Sequence, residues 1–77
     1  MKIWEVKYGE NSIRVENKWD EEKLFVNGEL QDKQMGPVGR ARLWGELPTG
    51  EKIKVSLGGS FRIHCLIFVN NKLILEE

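Results

Sequence analysis

Polar and apolar residues alternate with period two along much of the chain. In Lys2–Tyr8, Trp4, Val6 and Tyr8 share one face while Glu5 and Lys7 share the other. Ile13 and Val15 alternate with Arg14 and Glu16. Ile53, Val55 and Leu57 alternate with Lys52, Lys54 and Ser56. Side chains on a strand point to opposite faces in turn, so each stretch buries one face and wets the other. Turn signals fall between the strands: Gly9–Asn11, Asn27-Gly28, Leu47-Pro48-Thr49-Gly50, Gly58-Gly59 and Asn70-Asn71. Asn27-Gly28 is the clearest, because a type I′ hairpin turn needs positive φ at both central residues. Asn70-Asn71 suits the same turn, since Asn tolerates the left-handed region. The pattern predicts strands near 2–8, 12–17, 23–27, 29–34, 40–47, 51–57, 61–69 and 72–76. Met35–Gly39, with Gly36-Pro37, is the expected connection between halves. A helix over Asn17–Phe25 is the rival reading. Its apolar residues at 19, 24 and 25 make no i, i+3, i+4 stripe, so an acidic loop is expected there.

The two halves repeat. Ile3-Trp4 matches Leu43-Trp44 at an offset of forty, and Ile13-Arg14-Val15 matches Ile53-Lys54-Val55 at the same offset. Phe25-Val26-Asn27-Gly28-Glu29-Leu30 matches Phe68-Val69-Asn70-Asn71-Lys72-Leu73 at forty-three. A two-residue loop at 27–28 sets Phe25 opposite Leu30. A loop at 70–71 sets Phe68 opposite Leu73 and Leu66 opposite Leu75. Cross-strand pairs of this kind contribute roughly 0.2–1 kcal/mol each. The expected fold is therefore all-β: one domain over residues 1–77, with an internal repeat of 1–35 and 40–77. Its eight antiparallel strands form two four-stranded halves, stacked as a small sandwich or closed into a flattened barrel.

Composition narrows the class. Seventy-seven residues make one small domain, with stability of roughly 4–12 kcal/mol. Alanine occurs once, while Val, Ile and Thr supply thirteen residues, which favours strands over helices. Twelve Lys+Arg balance twelve Asp+Glu, which argues against bulk nucleic-acid binding. The charge split is mild: residues 1–38 carry six basic and eight acidic side chains, residues 39–77 six and four. The single cysteine, Cys65, excludes an internal disulfide framework and a cysteine-based zinc site. The sequence shows no membrane-spanning run and no secretory leader, so a cytoplasmic location is expected.

Candidate chemistry is sparse. His64 and Cys65 are neighbours on a strand and point to opposite faces, so they form no nucleophile–base pair. His64 is expected at the surface, and Cys65 behaves as a small hydrophobe among Ile63 and Ile67. Asp20-Glu21-Glu22 lacks the alternation that lets ligands converge on a cation, and it reads as a solvated loop flanked by Lys18 and Lys23. Gly58-Gly59-Ser60 lacks the Lys-Ser/Thr and the helix of a phosphate loop, so it reads as a turn. The sequence thus assigns no catalytic residue, no metal and no cofactor. Arg40, Arg42 and Trp44 share one face of a strand, with Arg62 placed near them as a further cation. A cationic and aromatic sheet face is one way single-stranded nucleic acid is held. The repeat argues otherwise for Trp44: matched to Trp4, it belongs in the core.

The last hairpin carries apolar residues on both faces. Phe61, Ile63, Cys65, Ile67 and Val69 share one face, with Leu66 and Phe68 on the other. A β-bulge that exchanges faces is one account. The other is an interface using Ile63, Cys65, Ile67 and Ile74, covered by a partner protein or by a second copy as a homodimer. The expected role is a non-enzymatic protein-interaction module. The alternative is a single-stranded nucleic-acid-binding module using Arg40, Arg42 and Trp44.

The order Ile13-x-Val15-Glu16-Asn17, Leu24-Phe25-Val26-Asn27-Gly28-Glu29, Leu43-Trp44-Gly45, Ile53-x-Val55 and Leu66-x-x-Val69-Asn70 resembles the Fas apoptotic inhibitory molecule family. The resemblance spans about Ile13 to Leu73 and lies in hairpin motifs. It implies an antiparallel eight-stranded sandwich and a non-enzymatic role in protein interaction. The chain departs from the family in being one unit rather than two. It also lacks the Gly-Thr-rich segment where Trp19–Glu22 stands.

Overall fold

Alternation becomes eight strands: β1 (Lys2–Tyr8), β2 (Asn11–Asn17), β3 (Glu21–Val26), β4 (Glu29–Met35), β5 (Arg40–Glu46), β6 (Lys52–Gly58), β7 (His64–Val69) and β8 (Lys72–Glu76). The computed structural model describes residues 1–35, 40–59 and 61–77; the expected connection at Met35–Gly39 lies, beyond Met35, outside them. The strands pair antiparallel in two sheets, ordered β1-β2-β3-β4 and β5-β6-β7-β8. No ladder joins the sheets, so the fold is a sandwich rather than a barrel. No helix occurs among the described residues, and β3 begins at Glu21, inside the stretch expected to be loop. None is therefore long and apolar enough to cross a membrane.

One face of each sheet supplies the core. Trp4, Ile13, Val15, Leu24 and Val26 come from the first sheet, and Ala41, Leu43, Ile53, Val55, Leu57, Cys65, Ile67 and Val69 from the second. Fully burying one such aliphatic side chain stabilises by about 1.5–3 kcal/mol. The hairpin turns adopt the expected geometry, with φ of 51° and 83° at Asn27 and Gly28, and 49° and 66° at Asn70 and Asn71. Both turn asparagines also tie down a third strand. The backbone N–H of Ser12 donates to Asn27 Oδ1 at 2.9 Å, and that of Lys52 to Asn70 Oδ1 at 2.9 Å.

The register locates the repeat more finely than the sequence match does. Val15 and Val55 are counterparts at an offset of forty, as expected. Trp4, however, pairs with Val15, whereas Leu43 pairs with Val55. The counterpart of Trp4 is therefore Leu43, and that of Trp44 is Glu5. A one-residue slip moves a side chain to the other face of its sheet. Trp4 is accordingly 4% exposed and Trp44 57% exposed, which corrects the core position expected for Trp44.

Both final hairpins contain a bulge at the same place. Phe25 opposes Leu30 while Leu24 opposes Asp32, leaving Gln31 as the extra residue. Phe68 opposes Leu73 while Ile67 opposes Leu75, leaving Ile74 extra. Leu66 therefore faces Glu76, not Leu75. In the first half the bulge aims polar groups at the neighbouring sheet. The N–H groups of Glu46, Trp44 and Arg42 donate to Gln31 Oε1 (3.2 Å), Asp32 Oδ2 (2.8 Å) and Gln34 Oε1 (3.4 Å). Those donors would otherwise line an open strand edge. Gly45 makes the approach feasible, because a Cβ there would meet Leu24 Cδ2 at 2.9 Å. In the second half the matching residues, Ile74 and Leu75, pack against the core instead. Strands β8 and β1 make no approach comparable to that of β4 and β5.

Candidate binding face

The register assembles the outer face of the second sheet from residues far apart in sequence. One row across the strands reads Trp44, Lys54, Phe68, Leu73. The next reads Arg42, Ser56, Leu66, Glu76, and a third Arg40, Gly58, His64. Trp44 and Leu73 are exposed, and Leu66 and Phe68 are half-buried. The Lys54 ammonium lies 4.8 Å from the centre of the Phe68 ring, a cation–π contact that keeps charge and aromatic surface together. The strand carrying Arg42 and Trp44 is itself fixed, since β4 accepts both of their N–H groups.

A shallow recess of about 300 Å³ opens beside this row, lined by Arg40, Arg42, Ser56, Gly58, His64 and Leu66 among others. The polar residues lining it are Arg40, Arg42, Ser56 and His64, with no Asp or Glu among the described lining residues. A second recess of about 230 Å³ lies beside Trp44, Lys52, Lys54 and Asn70. Arg62 is exposed, and its carbonyl sits where a Cβ on Gly59 would fall, which places its backbone against the rim of the first recess. Among the described residues the ion pair on this sheet is Lys52–Glu46 at 2.8 Å, and Arg40, Arg42 and Lys54 have none.

The structure brings Arg40, Arg42 and Trp44 onto one exposed face, as the alternation requires. Lys54, Ser56, Leu66 and Phe68 join them there. The sequence places Leu66 and Phe68 opposite Cys65 and Ile67, but linking them to β5 takes the register through β6.

The other candidate surface dissolves. Cys65 and Ile67 are fully enclosed, and Ile63 and Ile74 are partly buried against the core, so within one copy of the chain the four do not lie together on an outer face. Cys65 and Ile67 face inward by the plain alternation of β7, and a bulge at Ile74 on β8 turns Ile74 and Leu75 toward the core together. The expected strand over 61–69 begins only at His64, and Phe61 is fully exposed.

His64 faces outward and Cys65 inward, and burial, with Glu77 nearby, pushes the Cys65 thiol up to about 12. Reactive cysteines show the opposite shift. The acidic trio also separates. Glu21 pairs with Lys23 at 3.1 Å, which holds its carboxyl below the usual range. Glu22 is fully buried rather than solvated. It accepts one hydrogen bond from Asn17 Nδ2 at 2.9 Å, its other oxygen has no partner among the described residues, and desolvation raises its pKa. No cluster of three or more metal-ligating side chains occurs among the described residues. Compared with protein-family models, curated proteins and solved structures, the chain finds no match.

Proposed function

We propose that this chain is a small, non-enzymatic binding module that takes an extended anionic partner across the outer face of its second sheet. One observation carries the reading. The three carboxylates that β1, β2 and β3 present on the first sheet's outer face, Glu5, Glu16 and Glu21, have Trp44, Ser56 and His64 as their counterparts on the second. Among the described residues Arg40, Arg42 and Lys54 are thereby left without an ion pair, next to the exposed Trp44, while Lys52 keeps Glu46. An extended partner fits because Arg40, Arg42 and Trp44 recur every second residue of a strand, about 6.8 Å apart. The buried, unreactive Cys65 and the outward His64 support a role without catalysis, as does the resemblance noted in the hairpin motifs. A reducing compartment such as the cytoplasm suits the free thiol.

The test is binding of a polyanion panel: single-stranded oligonucleotide, heparin and poly-glutamate. Wild-type protein is expected to bind at least one, and Arg42→Glu to lose it. Failure to bind any of the three, or equal binding by the variant, overturns the reading.

A further inference from the structure

The chemistry of the face identifies the partner more closely, granted the binding face just described. We propose that the partner is a single-stranded nucleic acid, with a phosphate in the Arg40–Arg42 recess and a base stacked on Trp44.

The recess selects phosphate by its donors. Arg40, Arg42, Ser56 and His64 converge on about 300 Å³ of open space without a carboxylate among the lining residues. Guanidinium groups match phosphate oxygens with paired hydrogen bonds, and a hydroxyl adds another. Trp44 follows Arg42 at the next outward position of the same strand, so a base attached to the bound phosphate reaches the indole. Beyond Trp44 lies the second recess, lined by Lys54, which has no ion-pair partner among the described residues and is placed for the next phosphate, and by Lys52, which Glu46 already holds at 2.8 Å. Phosphate, base and phosphate are thus met in the order in which a single strand presents them. Base–aromatic stacking is what distinguishes this partner from an acidic polypeptide, whose carboxylates offer Trp44 nothing to stack. A second copy of the chain fits worse, since face-to-face packing would oppose Arg40, Arg42 and Lys54 with themselves. Overall neutrality does not conflict with the assignment, because the charge concerned is local. Three cations predict a salt slope of only about −2, at roughly 0.7 per phosphate for a single strand.

The experiment is fluorescence anisotropy of a labelled single-stranded oligothymidylate against the full chain. Poly-glutamate and a duplex serve as competitors. The expected result is binding with a salt slope near −2, competed by unlabelled single strand and weakly by the other two. Trp44→Ala is expected to weaken binding roughly 5- to 150-fold, the range for one stacked base. Trp44→Phe, which keeps a ring, should recover most of it. Arg42→Gln should lower the salt slope by about 0.7. Equal competition by poly-glutamate or duplex, or an unchanged affinity in folded Trp44→Ala, overturns the nucleic-acid assignment and leaves the anion-binding face standing. No binding of any polyanion overturns both.

Discussion

The outer faces of the two sheets share one backbone plan and carry opposite chemistry. On the first, Arg14 pairs with Glu16 at 2.9 Å and Lys23 with Glu21 at 3.1 Å, so cations are answered locally. On the second, the counterpart of Arg14 is Lys54 and that of Glu16 is Ser56. The pair is gone, and Lys54 lies over Phe68 instead. Phe25 and Leu30 recur as Phe68 and Leu73 across equivalent hairpins. What differs is therefore the set of residues that packing leaves free to vary. A surface ion pair contributes only about 0–1 kcal/mol, so its loss costs the fold little and releases a charge for another partner. The duplicated architecture keeps ion pairs on one outer face and leaves Arg40, Arg42 and Lys54 without them on the other, which is the face proposed for binding.

The sharpest way to break this comparison is to exchange the fates of two tryptophans. Trp4→Ala should cost about 3–5 kcal/mol, most of the stability of a domain this small. Trp44→Ala should stay within about 0.5 kcal/mol, as for a surface position. Urea unfolding of both variants measures the difference, and equal losses would show that Trp44 is core after all. A smaller effect tests the seam between the sheets. Asp32→Ala removes the acceptor for the Trp44 N–H and should cost about 1 kcal/mol by the same assay.

Glu22 offers a pH test at its position matching Cys65. Its folded pKa is raised, so the fold holds its proton more tightly than the unfolded chain does. The ionised form is then a penalty, present in full above the folded pKa and removed as pH falls toward the unfolded value. Glu22→Gln should raise the urea midpoint at pH 7, with the gain shrinking as pH falls through the raised folded pKa toward the ordinary carboxylate range and flat below it. A gain independent of pH would point to a cause other than ionisation. The smallest expected change in stability is that of Ser56→Glu, within about 0.5 kcal/mol. It rebuilds on the second face the carboxylate that Glu16 supplies on the first. Anisotropy with a single-stranded oligonucleotide should show binding nearly abolished while the melting temperature holds.

Much of the fold was readable because its signals are local. Period-two alternation marks β1, β2 and β6, and Asn27-Gly28 and Asn70-Asn71 fix the turns and thus the pairs Phe25–Leu30 and Phe68–Leu73. The misreadings come from single-residue shifts. Matching Trp44 to Trp4 by dipeptide identity is one residue out, and in a strand one residue reverses the face. The bulges at Gln31 and Ile74 leave no pattern of their own, and with β7 apolar on both faces the sequence did not decide which face, that of Cys65 and Ile67 or that of Leu66 and Phe68, is enclosed. Apolar Phe61 and Ile63 continue the alternation of β7 without belonging to it. Arg40, Arg42 and Trp44 were legible as one face from β5 alone. Joining them to Lys54, Phe68 and His64 requires the register of three strands, and Glu22 is buried because the strand β3 starts at Glu21, earlier than the acidic loop expected there allows.

Amide-resolved mapping of a single-stranded oligonucleotide titration would locate the contact surface. Shifts are expected to concentrate in β5, β6 and β7 around Arg42, Trp44, Ser56 and His64, with β1 to β3 unmoved. Shifts centred on the first sheet's outer face, or none at saturating oligonucleotide, would contradict the proposal.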